Sequence, residues 1–189
     1  ENTPIYQALM YMEEKGVQHL AIEDERGEIT GVIRIKELVQ FHRYGSIVLT
    51  REINRANSIV EITNLTERSP ALTRALLESG GKPNNITSMI STLCDSTTIR
   101  LLELAIAELG PPPAKFVFIA MGSQARHEQT LLTDQDNAII YAQLDDIYQQ
   151  EQVDRYFARL GDSVCNNLNR AGYALCKGQI MASNPHWRC

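Results

Sequence analysis

Paired cysteines are missing from this chain. Cys94, Cys165, Cys176 and Cys189 are widely spaced and form no C-x-x-C pair, which speaks against a disulfide framework or a cysteine zinc site and for reduced thiols. The histidines, His19, His42, His127 and His186, show no H-x-x-x-H spacing, so zinc chemistry is set aside. A basic excess is missing too: 18 Lys and Arg stand against 23 Asp and Glu, a net charge of −5. A nucleic-acid binder that relies on a positive surface is thereby disfavoured. No apolar run approaches the roughly 18 residues of a membrane span, and no signal-like leader is evident, so no membrane partner and a cytoplasmic setting are expected. Aromatic residues are few, at 6%, but 43% hydrophobic and 22% charged residues make an ordinary globular balance rather than a disordered one.

What is present is concentrated in FVFIAMGSQARHEQTLLTDQDNAIIY, residues 116–141. An apolar run, residues 116–121, reads as a buried strand that ends in a Gly122-Ser123 turn. A polar stretch with helical potential follows, read as a helix over about 123–131. A second strand-like run, residues 137–141, is headed by two carboxylates, Asp134 and Asp136. Strand side chains alternate faces, so these two project to one side and Gln135 to the other. Close carboxylates repel, and a hard divalent cation relieves this; Mg²⁺ is typically held by one or two carboxylates plus substrate phosphates. Gly122 leaves room for a phosphate near the backbone, and the Ser123 hydroxyl and neighbouring amides can hydrogen-bond it. Alone, T-D-Q-D also fits a solvated strand start or a calcium-type loop. In combination with the strand, the Gly-Ser turn and the ten-residue gap, it points to a site for a metal-bound nucleoside triphosphate.

The spacing resembles the signature of the nucleotidyltransferase superfamily: hydrophobic, Gly, Gly or Ser, about ten residues, then Asp-x-Asp or Asp-x-Glu. More closely, GSQARHEQTLLTDQDNAIIY resembles a CBS-linked nucleotidyltransferase family of uncharacterised function, related to the N-terminal domain of PII-protein uridylyltransferase. Its pattern runs approximately G-S-x-G-R-x-E-x-x-x-x-T-D-Q-D-N-A. Gly122, Ser123, Arg126, Glu128, Thr133, Asp134, Gln135, Asp136 and Asn137 match it. Ala125 replaces a glycine, a departure that a helical position tolerates. Residues 172–189, GYALCKGQIMASNPHWRC, resemble a second block of that family.

The resemblance implies an α/β (α+β) fold with a small mixed sheet and a transfer of a nucleoside monophosphate from a triphosphate to an acceptor hydroxyl. Asp134 and Asp136 are then the catalytic pair and the ligands of Mg²⁺ or Mn²⁺. Gly122, Ser123, Arg126, Thr133 and Lys177 are expected at the nucleotide and its phosphates, helped by the amino end of the following helix. Arg126 has two open roles, neutralising phosphate or bracing the loop through Glu128. Lys177, Asn184 and Arg188 are substrate-contact candidates or turn residues, and Trp187 stacks a base or packs in the core. Related enzymes carry a third carboxylate on a later strand; here it is expected beyond Cys189, since the chain reads as a piece of a longer protein and the piece itself as weakly active or inactive. The acceptor implied is a protein tyrosine, as in uridylylation of a PII signal protein.

Three regions are expected. Residues 1–45 read as helix, strand, strand, helix, with Thr3 as cap, Pro4 at the first turn and Ile5, Ala8, Leu9 and Met12 at helical spacing. The helices cover 4–15 and 36–44, with strands over 17–22 and 29–35. Ala8, Leu9, Met12, Gly16, Val17, His19 and Leu20, then Gly27, Ile29, Gly31, Val32 and Ile33, resemble the second half of a CBS module. Such units pair and often bind adenine nucleotide between them, which implies a homodimer through this unit or the helical region. Where that family carries Thr or Ser and then Asp for the ribose, this chain has Arg34 and Glu37. Residues 46–110 read as a mostly helical connector. Its helices lie over 47–62, over 66–80 with Leu72, Leu76 and Leu77 on one face and Gly80-Gly81 closing it, and over 86–109 with Ile90, Leu93, Ile99, Leu102, Ala105, Ile106 and Leu109 at helical spacing. Gly110 and the prolines 111–113 stop it. Residues 111–189 form the transferase-like region, with a helix over 153–171 bearing Phe157, Leu160, Val164 and Leu168, and a strand over 173–176. The competing function is a non-catalytic sensor of adenine nucleotides.

Overall fold

Alternation organises the first strands. Leu20 and Ile22 face inward while His19, Ala21 and Glu23 face solvent, forming β1 (His19–Glu23); it pairs antiparallel with β2 (Ile29–Arg34) through partners such as Leu20 and Ile33. The turn between them is local chemistry: the Asp24 carboxylate accepts from the backbone N–H groups of Arg26 and Glu28 at 2.8 and 3.0 Å, and Gly27 takes a positive φ of 80°. The computed structural model describes residues 8, 11–12, 14–24, 26–34, 46–78 and 82–189. Ala8, Tyr11, Met12, Glu14 and Lys15 are helical. Thr3, Pro4, Ile5, Leu9, the helix expected over 36–44 with Glu37, and the Gly80-Gly81 stop lie outside the described residues. The chain divides into two compact units, Glu1–Leu49 and Thr50–Cys189.

The second unit begins within α1 (Ser46–Arg55), followed by α2 (Ile59–Thr66), α3 (Ser69–Glu78) and α4 (Pro83–Leu109). The expected single helix over 47–62 is broken at 56–58. Ser58 is extended and its hydroxyl accepts from the N–H of Glu61, while the Glu61 carboxylate accepts from the N–H of Asn57 at 2.8 Å. This reciprocal capping starts a new helix. On α3, Leu72 is buried but Leu77 is 57% exposed. On α4, Ile90, Leu93 and Ala105 are buried, whereas Ile99 is 55% exposed and Leu101 takes the inward place. Gly110, at a φ of 90°, ends α4, and the Tyr156 hydroxyl donates to its carbonyl at 2.7 Å.

The site-bearing part is α+β. β3 (Phe116–Ala120) leads into a single turn, α5 (Gly122–Ala125), and β4 (Asn137–Tyr141) returns antiparallel to β3, with Phe116 opposite Tyr141 and Ala120 opposite Asn137. The chain end adds a parallel edge, where Arg188 bridges Ile139, Cys189 N–H donates to the Ile139 carbonyl and Tyr141 N–H donates to the Cys189 carbonyl at 2.7 Å. That makes the small sheet locally mixed. Residues 173–176 form no strand; the carbonyls of Tyr173 and Ala174 are taken up by Gln135 instead, as set out below. α6 (Ile147–Arg170) starts earlier than its apolar spacing alone indicates, because the Asp146 side chain caps it at the N–H of Gln149. Its Val153, Phe157, Leu160, Val164 and Leu168 are all buried. Phe157 is ringed by Phe116, Tyr141 and Tyr156, with centroids 5.2, 4.4 and 5.3 Å away. Among the described residues no helix is long and apolar enough to cross a membrane.

One glycine on α6 is a packing requirement. A Cβ at Gly161 would collide with the carbonyl of Ala182 and sit 3.3 Å from the N–H nitrogen of Ser183. The 182–183 backbone therefore lies directly on the helix. Gly161→Ala is expected to lower stability by about 1–3 kcal/mol, the usual range for overpacking, despite alanine's better helix propensity. Urea unfolding monitored by circular dichroism checks this.

Candidate functional site

The Gly-Ser turn and the acid segment meet because β3 and β4 are neighbours and the pairing runs one step past their ends: Met121 N–H donates to the Asp136 carbonyl at 2.8 Å. Gly122 follows with a φ of 57°, a left-handed conformation that favours glycine. A side chain here would fall on the Asp136 carboxylate: a Cβ would collide with Oδ2 and lie 3.3 Å from Cγ. Gly122 and Asp136 are thus in direct apposition, with ten residues looping out between the turn and Asp134.

That loop is not the helix expected over 123–131. α5 stops at Ala125, consistent with a helical place for that residue. His127 takes a φ of 55°, and Glu128 N–H reaches back to the Ser123 carbonyl at 2.8 Å. Further on, the Thr133 hydroxyl accepts from Thr130 N–H at 2.8 Å, so threonine side chains satisfy the backbone where a helix would have continued. A single turn adds little dipole, so the helix end has less to offer an anion than expected.

Alternation sorts the residues from 134 onward. Gln135 and Asn137 are 3% and 2% exposed, while Asp134 and Asp136 are half-buried. Gln135 Nε2 donates to the carbonyls of Cys165 and Tyr173 at 3.0 and 2.8 Å, and its N–H donates to the Ala174 carbonyl. Asn137 Oδ1 accepts from Ala182 N–H at 2.8 Å and from the Cys165 thiol. These inward amides fasten the segment to α6 and to residues 173–182. The acids are left facing the other way. Among the described residues, neither Asp134 nor Asp136 accepts a side-chain hydrogen bond or pairs with a cation, and no third His, Cys, Asp or Glu joins them in a metal-sized cluster.

The remaining candidates are placed as follows. Arg126 pairs with Glu128 at 2.8 Å, both exposed, so of its two expected roles the loop brace is the one made here. Such an exposed pair is worth little and leaves the guanidinium easily redirected. The Thr133 hydroxyl is engaged in the loop turn beside Asp134. Lys177 is exposed on the turn closed by Gln179 N–H to the Cys176 carbonyl, with no contact to either acid among the described residues. Of the two readings open for Asn184 and Arg188, the turn contacts are the ones made here. Asn184 caps the short 3-10 turn at Pro185–Trp187, and Arg188 donates to the carbonyls of Ala182 and Ser183 at 2.8 and 2.6 Å. Trp187 belongs to that turn and is half-buried. Burial pushes the Cys94 thiol up to about 12, so it is no nucleophile.

Two residues behind the turn carry no sequence signal. Gln124, the unspecified position after Gly-Ser, is buried and donates through Nε2 to Asp95 Oδ1 on α4 at 2.8 Å. Asp95 lies in a polar run of a long helix, with nothing in its spacing to tie it to residues 29 positions away. A cavity of about 360 Å³ touches Thr130 and Leu131 of the loop as well as Ile90 and Tyr173, but not Gly122 or either acid.

A family model described as "Putative nucleotidyltransferase DUF294" matches residues 67–189. No curated protein and no solved structure matches the chain.

Proposed function

The chain belongs to the nucleotidyltransferase family DUF294, and from that premise we propose that it transfers a nucleoside monophosphate from a metal-bound triphosphate to an acceptor hydroxyl. The observation that carries this is the apposition of glycine and acid: Gly122 has no room for a side chain beside Asp136, and both acids lack partners within the described residues. Two half-buried carboxylates without partners among the described residues are the donor type that a hard cation takes. A cation and an anion together resolve the arrangement.

In this reading Asp134 and Asp136 hold Mg²⁺ or Mn²⁺. Two carboxylates do not fill the coordination of a hard cation, and triphosphate oxygens supply further ligands. The metal, when bound, offsets charge on the leaving pyrophosphate and lowers the pKa of the attacking hydroxyl. The chain's own part is positional. Gly122 admits a phosphate against the backbone, and Ser123 offers a hydroxyl donor. Arg126 is within the same loop and can exchange Glu128 for phosphate. Lys177, exposed on its turn, is a second cation for the nucleotide.

The likeness of the Gly-Ser and T-D-Q-D blocks to PII-protein uridylyltransferase makes a protein tyrosine the proposed acceptor, and the β1–β2 hairpin with its CBS-like sequence the proposed regulatory unit, paired in a homodimer. The absence of a third acid among the described residues favours a second reading, a nucleotide sensor that binds without reacting. Titration of the chain with ATP and with UTP by calorimetry, with Mg²⁺ and with EDTA, tests the proposal. Binding that requires Mg²⁺ is expected. Binding indifferent to the metal would remove the acid pair from the nucleotide site and leave the sensor.

A further inference from the structure

α4 holds the loop from behind at two points one helical turn apart. Asp95 Oδ1 accepts from Gln124 Nε2 at 2.8 Å, and the Ser91 hydroxyl oxygen accepts from Gln129 N–H at 3.3 Å. Ser91 and Asp95 are four residues apart and so share one face of the helix. Cys94, between them, receives the Gln129 side chain at 3.7 Å. Gln124 and Gln129 are both buried; the Gln129 contacts are made away from water and the Gln124 amide meets a half-buried Asp95, so a missing partner is felt at both points. Gln124 sits one residue after Ser123 and two after Gly122. Its backbone is part of the turn, since His127 N–H donates to the Gln124 carbonyl at 3.0 Å.

We propose that Asp95 is a positioning residue: through Gln124 it sets the shape of the Gly122–Ser123 turn and couples that turn to the helix α4. Asp95 touches no reacting group in this scheme; its carboxylate fixes the Gln124 side chain, and the side chain fixes the turn. The phosphate-binding role of the turn rests on the function proposed above, whereas the clamp itself does not. A small displacement or rotation of α4 would move Gly122 relative to Asp136, which makes the helix a lever on the site.

The test uses the polarity of one hydrogen bond. Asp95→Asn retains an acceptor oxygen and is expected to behave like the parent. Gln124→Glu sets two carboxylates against each other, and Asp95→Ala removes the acceptor. Either change should raise hydrogen exchange at the amides of residues 126–129 and weaken Mg²⁺-ATP or Mg²⁺-UTP binding, each by about tenfold, the usual effect of losing a charged hydrogen bond. Combining Gln124→Glu with Asp95→Asn reverses the bond, with the amide on the helix donating to the carboxylate on the turn, and should restore both readouts. A bond that only supports the fold would be rescued in exchange but would leave nucleotide affinity the same in every variant. Unchanged exchange in Asp95→Ala and in Gln124→Glu, or failure of the reversed pair to restore it, overturns the clamp. If the parent binds neither triphosphate, the phosphate role of the turn falls, and the exchange measurement still decides the clamp.

Discussion

Asp136→Asn is expected to bind Mg²⁺-ATP or Mg²⁺-UTP about a hundredfold more weakly than the parent, at an unchanged melting temperature. The first half follows from the cation proposed at the acid pair. A metal held by two carboxylates contributes several kcal/mol to holding a triphosphate, and each 1.4 kcal/mol is about tenfold in affinity. The second half follows from what Asp136 does not do. Its side chain has no donor or cation among the described residues, whereas the anchoring of the segment is done by Gln135 and Asn137. Replacing it removes a like-charge neighbour of Asp134 and no native contact, so stability should stay within about 0.5 kcal/mol. In EDTA the two proteins should bind nucleotide equally. Calorimetry paired with thermal unfolding makes the check. A variant that loses binding only because it loses fold, or that keeps metal-dependent affinity, removes the acid pair from the site.

Gly122→Ala should be damaging on both counts. A φ of 57° is left-handed and costs an alanine about 1–2 kcal/mol. The new methyl group also falls on the Asp136 carboxylate, which must rotate away. Together these lower the melting temperature by about 5 °C for a unit of this size, and metal-dependent binding is lost as in Asp136→Asn. The combination with Asp136→Ala separates the two causes. It removes the collision but not the backbone strain, so stability recovers in part while binding does not. If Gly122→Ala binds Mg²⁺-ATP like the parent, the turn and the acid do not act together.

Much of this arrangement is legible in the sequence because strand alternation is a strict code. The apolar 116–121 run, the Gly-Ser break and the placement of Asp134 and Asp136 on one face follow from a period of two. Helical spacing likewise identifies Phe157, Leu160, Val164 and Leu168 as the buried face of α6. The failures share a cause: local propensity overridden by hydrogen bonds from far along the chain or from side chains. Residues 126–131 favour helix, yet His127 turns left-handed and the Thr130–Thr133 pair closes the loop. Residues 173–176 have strand character, yet the Gln135 side chain and N–H take the Tyr173 and Ala174 carbonyls, Gln179 N–H takes that of Cys176, and no ladder forms. Leu77 and Ile99 fit an apolar spacing but fall on the rim of their helices, where one position of drift turns a side chain outward. The Asp95–Gln124 contact leaves no trace in either period.

The alternation from Thr133 to Asn137 also decides where this chain tolerates insertions and deletions. Losing or gaining one residue between 133 and 137 would turn the amides of Gln135 and Asn137 outward and drive the acids into α6, because a frame shift of one exchanges the two faces of an extended segment. Residues 126–129 are tied to Ser123, Gln124 and Ser91, so only the exposed tip at Leu131 and Leu132 has no such constraint and can lengthen without moving either acid. The gap between the Gly-Ser turn and the acid pair is therefore fixed at both ends and elastic only at its exposed middle, and length variation among related chains should be confined to that tip.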